Sequence, residues 1–182
     1  LQRADKAMIL KAVLEEAAKK VVNPEVKESD RLKELQLLTL QRSTDSLDVL
    51  IHCLDAKQPA VIQAAAIRML AQNSNPQVTK SLMTSWPGFG PTAKEAALEA
   101  LLAREDRALA LLESGVVKPT EFSASQVQAL LKHKSPKVTA AAKTALASVI
   151  PPSREEVTAK FKPAIAAQGD AKKGQMQYMA RC

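Results

Sequence analysis

The sequence predicts an all-α fold, an α-solenoid of about 8–10 helices stacked in antiparallel pairs. Three observations carry this. Glycine is scarce, 5 in 182 residues with the first at Gly88, so left-handed turns that close β-hairpins have few places to form. Leu, Ala, Lys, Glu and Gln, all strong helix formers, dominate the chain. A proline–alanine pattern also returns three times at intervals that suit helix pairs. The aromatic residues Trp86, Phe89, Phe122, Phe161 and Tyr178 all follow residue 85. The N-terminal core must therefore be built from Leu, Ile, Val and Ala, whose short side chains suit close helix packing.

The elements follow in order. Ile9, Leu10, Val13, Leu14, Ala17 and Val21 recur at steps of one, three and four and mark one face of a first helix. Asn23-Pro24 ends it, because proline disfavours helical geometry in the residue before it. A second helix is expected from about Asp30 to Gln41, offering Leu32, Leu35, Leu38 and Leu40 to the core. Asp45 or Ser46 can cap a third, which carries Leu47, Leu50, Ile51 and Leu54. Cys53, inside that apolar stretch, reads as a small buried hydrophobe. Two cysteines make no disulfide framework.

The segment from Pro59 to Leu70 is apolar nearly all round and should be sandwiched between neighbours. Its prolines and alanines return at Pro91–Leu102 and at Pro136–Leu146, offset by 32 and then 45 positions. Each copy has Val or Ala two residues after the proline, Ala-Ala at the fifth and sixth, and Leu near the tenth or eleventh. Short helices precede each copy, and an additional one, Asp106–Ser114, fills the longer gap. Such periods mean stacked supersecondary units, because one helix pair cannot bury its own apolar face. The P-x-V-x-x-A-A-x-x-x-L pattern over about residues 5–148 resembles HEAT repeats, which implies a right-handed solenoid with residues 1–150 as its domain.

Pro151-Pro152 breaks the pattern, and Ser153 can cap a new helix with Glu156 three residues on. The run Gly169-Asp170-x-x-x-Gly174-x-x-x-Tyr178-x-x-x-Cys182 resembles the opening helix of class I c-type cytochromes, with tyrosine in place of the usual phenylalanine. That resemblance implies that 151–182 are a linker and the start of a cytochrome domain cut at its first haem cysteine. Cys182 would form a haem thioether in the full-length protein only, so haem c is expected there and no cofactor in these residues. HEAT repeats before such a cytochrome resemble large secreted bacterial proteins with a dehydrogenase-like β-propeller upstream. The resemblance implies a periplasmic or secreted location and a scaffold joining the two flanking domains.

The net charge of +7 is uneven. Residues 1–117 hold 15 Lys/Arg and 15 Asp/Glu, whereas 118–182 hold 11 and 4. A local patch facing an acidic partner fits this better than a uniformly basic nucleic-acid binder. Lys132, Lys134, Lys137 and Lys143 are the candidate docking face, with no acidic residue between Glu121 and Glu155. Trp86 and Phe89, in the stiff Trp-Pro-Gly-Phe-Gly-Pro loop, either form an exposed contact or tuck over the ends of adjacent helices. The sequence favours tucking.

Catalytic constellations are not seen. His52 and His133 stand apart without clustered ligands, so no metal site is expected, and His133 reads as part of a solvated basic face. Glu15 and Glu16 read as surface partners of Lys19 and Lys20. No nucleophile elbow, zinc motif or phosphate loop is present, so the chain is read as non-enzymatic, although its parent could be an oxidoreductase. No apolar run approaches the ~20 residues of a membrane span. The alternatives are a nucleic-acid-binding module like the HEAT-type DNA glycosylases, disfavoured by the lack of interleaved aromatics, and a peptide-binding solenoid.

Overall fold

The computed structural model describes residues 2–38, 44–151, 154–166 and 169–181, apart from the side chains at 2–7, 44–45 and 165–166. The protein is all-α. Among the described residues there are eleven α-helices and no strand, nine of the helices before Pro151 and two after it. Contacts divide the chain into two units, Leu1–Ala147 and Ser148–Cys182.

In the first unit α1 (Gln2–Val22) packs on α2 (Glu28–Leu38) and α3 (Thr44–His52). Next come α4 (Ala60–Ala71), α5 (Pro76–Ser85), α6 (Pro91–Leu102), α7 (Glu105–Ser114), α8 (Ala124–Leu131) and α9 (Pro136–Ala145). α4 is the hub. It packs most extensively on α6 and also on α2, α3 and α5, which is why six of its twelve residues are buried and only Val61 and Arg68 of its interior stand out to solvent. α7 packs on α5, α6 and α9, and α8 packs on α9.

Burial reveals a stricter period than the prolines do. Ile62, Ala66 and Leu70 of α4, Ala93, Ala97 and Leu101 of α6, and Val138, Ala142 and Leu146 at α9 are all 1 % exposed or less. Each trio is spaced i, i+4, i+8, one helix face. The first residues of the α4 and α6 trios are 31 apart, not 32. The cause lies at the helix start: Pro59 is the N-cap of α4, whereas Pro91 and Pro136 occupy the first helical turn. The same step of 31 runs back from Ile62 to Arg31 and forward from Arg107 to Val138. Arg31 and Arg107 are 2 % and 1 % exposed, and each is followed four residues later by a buried leucine, Leu35 or Leu111. A single 14-residue step, from Ala93 to Arg107, breaks the series and accounts for the long interval between the second and third proline copies.

Several expected core positions sit elsewhere. Leu14, Ala17 and Val21 of α1 are buried, but Ile9, Leu10 and Val13 are 47–64 % exposed, although α2 and α3 pack on α1. Leu32 is only partly buried, and Leu40 lies outside the described residues. Asp45 and Ser46, expected to cap α3, lie within its described span, Thr44–His52. Within the alanine run of α4, Ala64 and Ala66 are buried while Ala65 is half-buried. Lys20 leaves the expected surface pairing and reaches Glu34 on α2 at 3.1 Å.

Helix termini that would otherwise leave carbonyls unpaired are held by buried polar side chains. Arg31 Nε donates to Val21 O at the end of α1 (2.7 Å), and its guanidinium also reaches Gln58 Oε1. Arg107 donates to Ala71 O at 3.1 Å and to Asn73 O, both at the end of α4, and to Ala100 O of α6 at 3.5 Å. Gln63 Nε2 donates to Asp55 O at 2.8 Å. Asn75 caps α5 through Gln77 N. Ser123 and Gln126 form a capping box at α8.

The second unit contains α10 (Arg154–Ala166) and α11 (Ala171–Arg181). All their described side chains are exposed, including Val157, Phe161, Met176, Tyr178 and Met179. Asp170 starts α11, accepting from Lys173 N at 3.1 Å. Ser153, expected to cap α10, and Cys182 lie outside the described residues.

Candidate functional site

Two surface features of the first unit combine charge with defined geometry. One is the turn between α8 and α9. α8 ends as Lys132 N donates to Gln128 O, and the chain then turns through His133-Lys134-Ser135 into Pro136. The turn is pinned. Ser135 N donates to His133 Nδ1 at 3.1 Å, Thr139 Oγ1 donates to His133 O at 3.2 Å, and Thr139 N donates to Ser135 O at 3.1 Å. Ser135 Oγ reaches back to Glu105 Oε1 of α7 at 2.6 Å instead of capping α9.

Lys132, Lys134, Lys137 and Lys143 are all exposed. Among the described residues none has a carboxylate within 4.0 Å. Three of the four cluster at the turn. Lys143 lies six residues beyond Lys137, which at 3.6 residues per turn places it about 120° round the helix, so it stands apart. His133 is half-buried and serves as a hydrogen-bond acceptor within the turn, not as an open part of a solvated face.

The second feature is a groove of about 380 Å³ lined by Trp86, Pro91, Lys94, Glu95, Leu98, Glu121, Ser123 and Gln126. Lys94 is its clasp. Its Nζ is 2.6 Å from Glu121 Oε1 and 5.0 Å from the centroid of the Trp86 ring, a cation–π distance. Glu121 Oε2 also accepts from Lys118 N at 3.0 Å. The Lys94 hydrogen bond, then the Lys118 amide, hold the Glu121 carboxyl below its ordinary range, against the opposing effect of burial. No motif announces this trio, because Glu121 lies 27 residues from Lys94 and 35 from Trp86.

Trp86 and Phe89 are 3 % and 5 % exposed and meet edge to face at 6.5 Å, so neither projects as a knob. Their loop is drawn in against the α3–α4 connection: a Cβ on Gly88 would sit 3.0 Å from Ala56 Cβ. Cys53 is fully buried, and burial pushes its thiol up to about 11, with Arg31 opposing. His52 is exposed. Among the described residues no group of three or more His, Cys, Asp or Glu is arranged to hold a metal ion, and no helix is long and apolar enough to cross a membrane.

Comparison with protein-family models, curated proteins and solved structures gave no match to this chain.

Proposed function

We propose that residues 1–147 form a HEAT-like solenoid of helix pairs that works as a non-catalytic spacer and protein-interaction scaffold. The observation that carries this is the 31-residue register of buried positions shared by α2, α4 and α6 and, after one break, by α7 and α9. Identical units that bury the same helix face against the next unit are the signature of quasi-one-dimensional stacks. The buried charged and amide side chains support a structural role as well. Arg31, Gln63 and Arg107 are spent on backbone carbonyls near helix ends. That use fixes one segment to another.

The reading extends to the second unit. Asp170 capping α11, the small Gly174 with no heavy atom within 4 Å of where a Cβ would be, and the exposed Tyr178 four residues later favour a helix awaiting a partner across its Gly–Tyr face. This is the arrangement implied by the cytochrome resemblance. The scaffold would then separate a dehydrogenase-like domain from a haem domain outside the cytoplasm.

The test is a chain extended beyond Cys182 and expressed with haem-attachment machinery. Covalently bound haem with a Soret band is the expected result. Residues after Cys182 that fail to supply a second cysteine and a histidine ligand would refute the cytochrome assignment while leaving the repeat assignment standing.

A further inference from the structure

We propose that the α8–α9 turn of Lys132, Lys134 and Lys137 is a docking surface for an acidic protein face, engaged transiently and released by salt. This goes beyond the spacer role, since it names a contact and its chemistry. Its test is independent of haem attachment.

Three observations carry it. The lysines are exposed, and among the described residues no carboxylate neutralises them within 4.0 Å. The backbone beneath them is fixed by the hydrogen bonds of His133, Ser135 and Thr139. The charges are thus presented from a rigid base, which lowers the ordering cost of association. Positive charge is also concentrated there, with no Asp or Glu between Glu121 and Glu155. Glu105 of α7, which accepts from Ser135 Oγ, brings one negative charge to the edge of the turn, against the three lysines.

The choice of cation and the surroundings select the partner. No arginine occurs between Arg107 and Arg154, so the planar fork that grips phosphates in two places is missing. Trp86, Phe89 and Phe122, the aromatics of the first unit, are buried, so that unit presents none of them for stacking on bases. Within residues 124–147 no large hydrophobic side chain is exposed to enter a bilayer. Hydrated point charges on flexible stems suit loose pairing with carboxylates, which speeds encounter more than it deepens affinity.

The experiment uses the whole chain, isotopically labelled, with polyglutamate as the probe at low ionic strength. Single-stranded DNA of matched charge and phosphatidylglycerol vesicles are run as competitors for the assignment. Polyglutamate should shift the amide resonances of residues 131–138 selectively, and the shifts should vanish at physiological salt. The triple variant K132E/K134E/K137E should bind at least about tenfold more weakly. Reversing Lys160, Lys162 and Lys172 instead should change little. Shifts spread evenly over all the lysines, or binding unaltered in the turn variant, would overturn the proposal. Tighter binding of DNA or vesicles than of polyglutamate would overturn it too. The map on the unaltered chain decides the matter even if the variant fails to fold.

Discussion

Arg107 donates a hydrogen bond to Ala71 O, 36 residues earlier, from within a site that is 1 % exposed. The same guanidinium serves Asn73 O and Ala100 O, so one side chain closes the ends of two helices. Burial lowers its pKa, with Arg104 adding to the effect and Asp106 opposing it. Arg107→Met should leave these carbonyls without a donor and cost about 3 kcal/mol. Thermal denaturation would read this as a fall of roughly 6–12 °C. Arg107→Lys should recover only part of it, because an ammonium cannot span the same fork of acceptors.

The shared buried face makes a contrasting pair of alanine variants. Ala97 is 0 % exposed, in the register position matched by Ala66 and Ala142, so Ala97→Leu should overpack the α4–α6 contact and cost roughly 1–3 kcal/mol. Ala65 is half-buried, and Ala65→Leu should stay within about 0.5 kcal/mol of the parent. Equal losses in chemical denaturation would mean that the register is misplaced.

The Lys94–Glu121–Trp86 clasp should open in acid. The folded-state pKa of Glu121 is depressed, so its contribution to stability is full above the unfolded-state value and is lost as pH falls through the folded value. Trp86 is the sole tryptophan, and its emission should change in that window, below the ordinary carboxylate pKa of about 4.3. Glu121→Gln should remove the change while leaving the neutral-pH spectrum of a buried indole.

At Gly88 the limit is space. Gly88→Ala puts a methyl group 3.0 Å from Ala56 Cβ and should cost about 1 kcal/mol. Combining it with Ala56→Gly should return a measurable part of that loss, a coupling that a double-mutant cycle in denaturant would detect.

Much of this protein is legible before folding. Helix identity came through because apolar spacing, capping residues and prolines agree locally. The tucked Trp86 and Phe89 follow from the stiffness of their loop. What stayed hidden are relations across distance. Nothing in the local sequence distinguishes Arg31 and Arg107 from surface arginines. Only the step of 31 residues, shared with Ile62 and Val138, marks them as core positions, and the prolines obscured that step by shifting one residue between N-cap and first turn. Likewise the apolar side chains of Ile9 and Leu10 speak of burial, while their exposure depends on which helices stand beside α1. The lysines of the basic turn were visible as a charge run, but that three of them cluster and one stands apart depends on helical phase.

The 14-residue step between Ala93 and Arg107 behaves like a dislocation in a lattice. The step of 31 is found on either side of it, from Arg31 through Ile62 to Ala93 and from Arg107 to Val138, but Ala93 and Arg107 stand on separate helices, α6 and α7, so no helical phase runs between them. What crosses the fault is contact: α7 packs on α6 before it and on α9 beyond it, so burial is handed on by side chains and not by a continuous helix.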